Sequence, residues 1–194
     1  MPYLCPPTLT AAEQKAILRI TRDHPRDHAI ISIALGTGLR LAEIVGLDVG
    51  DLYTPDGKPR SRVHVRAAIA KGGRAADVFL PEKLLPKLRR LWAFKRQRTE
   101  IMAPDSPVFC SQSGRRISKR RVQTAWTTWQ EAAGFDRHYS FHCLRHTAVT
   151  SVYRASQDLF LAQRFARHAS PLTTIVYTHP SDDELRRGVR SLDC

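Results

Sequence analysis

Residues 141–147 read Phe-His-Cys-Leu-Arg-His-Thr, at the start of a stretch whose apolar pattern predicts a helix from Phe141 to Tyr153. His142 and Arg145 are three residues apart, so on a helix they share one face. The two side chains are therefore candidates for one functional site.

Three more segments carry candidate residues on either side of this stretch. Arg40 follows a glycine-rich break, Gly-Thr-Gly at residues 36–38, and stands at the start of a predicted helix. Lys71 lies in the turn Ala-Lys-Gly-Gly-Arg between two predicted strands. His168 and Tyr177 are nine residues apart near the end of the chain. Taken singly, each residue has an ordinary structural explanation, such as a surface arginine or a solvated turn lysine.

The order of these residues is more informative than any one of them. Read along the chain it is Arg, Lys, His-x-x-Arg, His, Tyr, and in this order the sequence resembles the tyrosine recombinase (phage integrase) family from about residue 8 to residue 190. The resemblance implies one catalytic domain over residues 1–194. It also implies a site-specific DNA recombinase or integrase that cleaves and rejoins strands through a 3′-phosphotyrosyl intermediate. The six positions are Arg40, Lys71, His142, Arg145, His168 and Tyr177.

The chemistry explains why these residue types are needed. Two guanidinium groups, of Arg40 and Arg145, can hold the phosphate oxygens and stabilise the charge of the transition state. A tyrosine hydroxyl has a pKa near 10 and needs help to attack, for which His142 is the candidate proton acceptor. By resemblance, Lys71 is the general acid, His168 donates a hydrogen bond to the phosphate and Tyr177 is the nucleophile. The phosphotyrosyl link stores the bond energy, so the resemblance implies no ATP, metal or other cofactor.

The charge of the chain points to a polyanionic partner. The formal net charge is +13 and the pI is about 10.3, which predicts a nucleic-acid ligand, although charge alone leaves ribosomal or general RNA binding open. One basic run stands at a predicted loop-to-helix junction, where phosphates bind helix N-termini. We predict phosphate contacts there, while residues 87–98 are as well explained by a solvated face. The run contains Arg115, Arg116, Lys119, Arg120 and Arg121.

The cysteine pattern and the hydropathy of the chain further limit the class of protein. Four cysteines occur without a Cys-x-x-Cys pair, which favours free thiols over a zinc site or a disulfide framework. His142 and His146 have metal-ligand spacing, but no third and fourth ligand is evident in the sequence. The chain shows no secretory signal and no apolar stretch of the roughly 20 residues that span a membrane. We therefore expect a soluble, cytoplasmic protein.

The predicted fold class is α+β and mainly α: a helical domain with one small antiparallel sheet. Three tryptophans, at 92, 126 and 129, have apolar neighbours and are predicted to lie in the core. The last segment, residues 180–194, is predicted to be a tail or helix that protomers exchange. Helices are predicted at 8–24, 26–35, 39–45, 81–100, 118–133, 141–153, 157–166 and 171–178, and strands at 62–69 and 75–80.

The sequence departs from the family pattern at two points. Arg167 stands where many members have a glycine before the histidine, which raises the question of whether the turn that aims His168 is kept. Only about seven residues precede the first predicted helix, whereas most members have a further helical domain of about 100 residues. The expected partners are double-stranded DNA, further copies (a dimer on a site and a tetramer in synapsis) and an accessory DNA-bending protein.

Two other functions remain compatible with these residues. A tyrosine-type topoisomerase shares the Arg, Lys and Tyr chemistry, although residues 144–147 and His168 favour a recombinase. A catalytically silent DNA-binding protein on the same fold would be indicated by loss of one of the six residues, and all six are present.

Overall fold

The computed structural model describes residues 6–177, Arg186, Val189 and Arg190. It divides into two compact units, a large one formed by Pro7–Ala148 and a smaller one whose described residues are Pro6 and those from Val149 onward. The predicted class is confirmed, since the described residues are mostly helical with one small antiparallel sheet. In chain order the elements are α1 Ala11–Ile20, α2 Pro25–Thr37, α3 Leu41–Gly46, α4 Val49–Leu52, β1 Arg62–Val65, β2 Ala76–Phe79, a 3₁₀ turn Glu82–Leu84, α5 Leu85–Gln97, α6 Lys119–Ala132, α7 His142–Ser156, α8 Leu159–Ala166 and α9 Leu172–Ile175.

Helix α1 is shorter than the prediction of residues 8–24. Thr10 caps it, accepting a hydrogen bond from the backbone N–H of Glu13, whose carboxylate accepts the N–H of Thr10 in return. The helix ends at Ile20, which is 38% exposed. Ile17 is fully buried and anchors α1 to the core.

The two strands form an antiparallel pair in which Arg62 lies opposite Phe79 and Val65 opposite Ala76. Both are shorter than predicted. Pairing stops after Val65, and the side chain of the next residue, Arg66, bonds Asp48 and Asp51 outside the sheet. The predicted glycine turn is confirmed, with positive φ at Gly72 and Gly73.

The core of the large unit lies mainly between α2 and α5, with the apolar sides of α3, β1 and α6 closing over it. Trp126 is buried, and Trp92 and Trp129 are partly buried against this core, as predicted. Lys95 is the exception in a charged stretch: its side chain is 1% exposed and its ammonium is 2.7 Å from the carboxylate of Glu100. Part of residues 87–98 is therefore neither a solvated face nor a phosphate-binding one.

The helix α4 was not predicted. It is only four residues long, and it forms because Asp48 and Asp51 make a capping box across its single turn. Such a short helix has too few residues for a periodic pattern in the sequence. It places two carboxylates beside the end of α3.

The smaller unit is built on a cluster of its own. Val149 on α7, Ala162 and Ala166 on α8, and Tyr177 after α9 are buried together. The predicted C-terminal element, residues 180–194, lies outside the described residues apart from Arg186, Val189 and Arg190. None of the helices in the described part of the chain has the length and hydrophobicity needed to cross a membrane.

Candidate active site

Arg145 is buried in the large unit and is tied to the glycine break near Arg40. Arg145 is 2% exposed, and its guanidinium donates a hydrogen bond to the carbonyl oxygen of Gly38. Gly38 ends α2 in the left-handed conformation, at φ 61° and ψ 18°, which glycine adopts without steric cost. The bond spans 107 residues of sequence and brings Arg145 to the segment that carries Arg40.

Arg40 is held by a buried carboxylate. Glu43, which is 1% exposed, accepts the backbone N–H of Arg40 at 2.8 Å and its guanidinium at 3.3 Å. This capping box starts α3 and fixes the arginine side chain at the same time. The Arg40 side chain remains 23% exposed, and among the described residues its guanidinium bonds only Glu43. Other N–H groups of Arg40 are therefore available to an anion.

His142 and Lys71 complete this cluster. His142 lies at the surface, and partial burial of its imidazole lowers its pKa below the ordinary value. The positive charges of Arg145, Arg40 and Lys71 lower it further, which places these three side chains within electrostatic range of His142. The rings of His142 and His146 meet edge to face with centroids 4.6 Å apart, and burial lowers the pKa of His146 to about 4. Both imidazoles are therefore neutral at physiological pH.

The start of α7 is fixed by contacts that precede His142. Gln130 on α6 clamps Tyr139: its side-chain oxygen accepts the backbone N–H at 2.7 Å, and its amide donates to the carbonyl at 3.1 Å. Trp126 donates to the same carbonyl at 2.8 Å. One turn into the helix, Thr147 accepts the backbone N–H of Leu9 at 2.9 Å. These bonds hold the helix that carries His142 and Arg145.

The predicted basic run divides into two kinds of residue. The guanidinium of Arg116 bonds within the fold although 38% of its side chain is exposed: it donates to the carbonyls of Val45 and Leu47 at 3.0 Å each and pairs with Asp48. The other four side chains are exposed and, among the described residues, form no ion pair or hydrogen bond with their charged groups. These four are Arg115, Lys119, Arg120 and Arg121.

In the smaller unit, the turn before His168 is kept despite the missing glycine. Arg167 itself adopts the left-handed conformation, at φ 54° and ψ 46°, which costs a non-glycine residue about 1–2 kcal/mol. Gln163 offsets this by holding His168 from both sides: its carbonyl accepts the His168 N–H, and its amide donates to the His168 carbonyl, both at 3.1 Å. The imidazole is aimed by Thr174, 2.9 Å from Nδ1.

Tyr177 lies beside His168 in the same unit. The ring centroids are 6.0 Å apart, with the planes 22° from parallel. The backbone N–H of Tyr177 bonds the carbonyl of Thr174 at 2.9 Å, so Thr174 positions both predicted residues. Tyr177 is 5% exposed, packed with Val149, Ala162 and Ala166.

The structure thus groups the six predicted residues in two sets: Arg40, Lys71, His142 and Arg145 in the large unit, and His168 with Tyr177 in the smaller one. The sequence reasoning assigned no role to Glu43, Gln130, Gln163 or Thr174, which hold these side chains. A signal existed only for Glu43, since it follows Arg40 at the three-residue spacing of a capping box.

Comparisons with known proteins agree with this arrangement. Residues 7–184 match the phage integrase family. The chain is 30% identical over 177 residues to tyrosine recombinase XerC of Vibrio cholerae serotype O1, covering 90% of this chain and 54% of that protein. It is 32% identical over 162 residues to XerC of Neisseria meningitidis serogroup B, covering 84% and 50%. The chain spans about half the length of these relatives.

Solved structures show the same fold. The crystal structure of XerA recombinase superimposes with a TM-score of 0.79 at 25% identity, covering 100% of this chain and 66% of that one. XerH recombinase bound to its palindromic difH substrate gives a TM-score of 0.78 at 24% identity, covering 96% and 53%. With its family match over most of its length, this chain belongs to the phage integrase family and has the fold of a tyrosine recombinase catalytic domain.

Proposed function

We propose that the chain is the catalytic part of a site-specific DNA recombinase or integrase that cleaves and rejoins strands through Tyr177. The main support for the proposal is that the guanidinium groups of Arg40 and Arg145 are both held at the short segment around Gly38. Arg145 binds the carbonyl of Gly38, and Arg40 lies two residues further on, with Lys71 and His142 in electrostatic range. Two neighbouring guanidinium groups suit an anion with two non-bridging oxygens, such as a phosphodiester.

In the proposed cleavage step, the Oη atom of Tyr177 attacks the phosphorus of the scissile phosphate. A bond forms between Oη and phosphorus, and the bond from phosphorus to the 5′ oxygen breaks. Arg40 and Arg145 stabilise the charge that grows on the non-bridging oxygens, and His168 donates a further hydrogen bond. Lys71 gives a proton to the departing 5′ oxygen. Rejoining is the same reaction in reverse, with the 5′ hydroxyl of a new strand as nucleophile.

His142 is the proposed acceptor of the tyrosine proton. A base must be unprotonated to act, and the lowered pKa of His142 keeps its imidazole neutral at physiological pH. The same positive charges that lower this pKa also favour the tyrosinate anion when Tyr177 approaches them. One cluster of cations thereby prepares both the base and the phosphate.

Double-stranded DNA is the proposed substrate and partner. Its support is the net charge of +13 and the exposed basic run, Arg115 with residues 119–121. Structural neighbours are bound to DNA: XerH on a difH site and a lambda integrase dimer on a core site. By analogy we propose a dimer on each site and a tetramer when two sites meet, with an accessory DNA-bending protein as a further partner.

The first prediction concerns the nucleophile. On a nicked suicide substrate, the leaving strand diffuses away and a covalent intermediate accumulates. We expect the unmodified protein to form an SDS-resistant adduct on the 3′ phosphate, with EDTA present. Tyr177→Phe removes only the hydroxyl and should bind the same DNA without forming an adduct, as measured by gel electrophoresis and peptide mapping.

Tyr153→Phe is the matched control, because Tyr153 packs against the same cluster of the smaller unit. It should form the adduct at close to the unmodified rate. An adduct made by Tyr177→Phe on another tyrosine would refute the assignment. Absence of an adduct on every cognate site bound by the unmodified protein would favour the silent DNA-binding alternative.

The second prediction concerns the charge cluster around His142. Positive neighbours disfavour the protonated imidazole, so Arg40→Met and Lys71→Met should each raise the pKa of His142 toward its ordinary value of 6.5. The measurement is an NMR titration of the His142 ring from about pH 4 to pH 8. Arg62→Met, an exposed change on β1, is the control and should leave the pKa unchanged. An unchanged pKa in both test variants would show that these side chains do not surround His142.

The third prediction separates the two kinds of basic residue. The slope of log binding constant against log salt concentration should become shallower when alanine replaces Arg115, Lys119, Arg120 and Arg121. The expected change in slope is roughly three to four, at about 0.9 per lost phosphate contact. The fold should remain as stable as before, because these side chains are exposed. Binding would be followed by fluorescence anisotropy at several salt concentrations.

Arg116→Ala is the contrasting variant. It should keep the salt slope but lower the free energy of unfolding, because it removes one donor from the carbonyls of Val45 and Leu47 and one of the two arginines that pair with Asp48. Urea denaturation measures the second effect. A salt slope that drops for Arg116→Ala and not for the fourfold variant would reverse the proposed assignment.

A further inference from the structure

Arg66 forms an extensive set of polar contacts at the end of β1. Its Nε atom donates to both carboxylate oxygens of Asp51, at 3.0 and 2.9 Å. Its Nη2 atom lies 2.6 Å from a carboxylate oxygen of Asp48 and donates to the carbonyl of Gly46 at 2.8 Å. Both aspartates are mostly buried, with side chains 12% and 6% exposed, so this is a fixed attachment and not a loose surface pair.

The contact with Gly46 joins two parts of the candidate site. Gly46 is the last residue of α3, the helix that Arg40 begins. On the other side of the contact, the side chain of Ile69 lies directly against Gly46: a Cβ atom added to the glycine would be 2.7 Å from Cγ2 of Ile69. The loop that follows β1 is therefore fastened to α3 twice, through Arg66 and through Ile69.

A chain of turns leads from this attachment to Lys71. The carbonyl of Arg66 accepts the N–H groups of Ile69 and Ala70, both at 3.1 Å, and the carbonyl of Ala70 accepts the N–H of Gly73 at 3.1 Å. Lys71 is the second residue of that last turn. Its backbone position thus depends on Arg66 through consecutive hydrogen bonds, although Lys71 itself is exposed.

We propose that Arg66, braced by Asp48 and Asp51 and seated on Gly46, is a positioning residue that sets where Lys71 stands relative to Arg40. The inference rests on the proposed function, in which Lys71 is the general acid of cleavage. Arg66 reaches its four acceptors through a planar fork, which a lysine at this position cannot reproduce. Loss of these Arg66 contacts moves the ammonium of Lys71 away from the 5′ oxygen, while Arg40, Arg145 and Tyr177 keep the contacts that hold them.

The leaving group provides a test that separates positioning from general damage. When sulfur replaces the bridging 5′ oxygen of the scissile phosphate, the strand departs as a thiolate, which leaves without a proton because a thiol is far more acidic than an alcohol. Cleavage of the sulfur substrate therefore needs no general acid. A variant whose only defect is a misplaced Lys71 must recover on this substrate.

Two variants disturb the contacts of Arg66 and Gly46 in different ways. Arg66→Lys keeps the charge and loses the fork, and Gly46→Ala keeps every charge and pushes Ile69 away. Their matched control is Arg26→Lys, because Arg26 likewise pairs with an aspartate, Asp27, and donates to a backbone carbonyl, that of Cys110. Circular dichroism and DNA binding establish that each variant is folded.

On the oxygen suicide substrate, Arg66→Lys and Gly46→Ala should cleave roughly 10- to 100-fold more slowly than the unmodified protein, the scale of a small misplacement of a reacting group. Lys71→Ala should lose about 10²- to 10⁴-fold. On the sulfur substrate all three should return to near the unmodified rate, and Arg26→Lys should cleave normally on both substrates.

Recovery of Lys71→Ala without recovery of Arg66→Lys and Gly46→Ala would refute the positioning role while leaving the proposed function intact. Normal cleavage of the oxygen substrate by both Arg66→Lys and Gly46→Ala would refute the positioning role as well. If Lys71→Ala itself fails to recover, Lys71 is not the general acid, and the proposed mechanism fails at that step together with this inference.

Discussion

The candidate site depends on the hydrogen bond from the guanidinium of Arg145 to the carbonyl of Gly38. Burying a guanidinium costs free energy unless its N–H groups find partners, and a carbonyl at the end of a helix is an acceptor that the helix itself does not use. The left-handed conformation of Gly38 ends α2 at this point. This contact therefore lies where the helix ends, gives the buried guanidinium a partner and brings two arginines of distant sequence position to the same place.

Several buried acidic residues of this basic chain hold arginine side chains in place. Glu43 is buried beneath Arg40, and Asp48 and Asp51 are mostly buried beneath Arg66. Each carboxylate fixes the direction of a guanidinium that would otherwise sample many rotamers. Asp48 serves two arginines, since it also pairs with Arg116. The arrangement holds the guanidinium groups in fixed directions, so under the proposed function a phosphate would meet groups that are already oriented.

Much of this could be predicted from the sequence, because the informative signals were local. The His-x-x-Arg spacing and the two glycines after Lys71 act within a few residues, and each predicted the observed backbone. The glycine break before Arg40 was predicted over residues 36–38, but only Gly38 breaks the helix, because α2 continues through Gly36 and Thr37. The supports could not be predicted, since Arg66 finds Asp51 and Gly46 across 15 and 20 residues through tertiary packing. Arg167 shows a different limit: a left-handed turn is favoured by glycine, yet the hydrogen bonds of Gln163 hold an arginine in it.

The central claim is that Arg40 and Arg145 act by balancing the negative charge of one phosphate. A methylphosphonate at the scissile position replaces one charged non-bridging oxygen with a methyl group, so the need for a second guanidinium disappears. The decisive measurement is the rate of strand cleavage by Arg40→Ala and Arg145→Ala on phosphate and methylphosphonate sites, with Lys71→Ala as control. The account predicts that each arginine variant regains roughly 10²-fold or more of its lost rate on the neutral site, the usual worth of one charged stabiliser, and that the lysine variant regains far less. Arginine variants that remain as slow on the neutral site as on the charged one would contradict it.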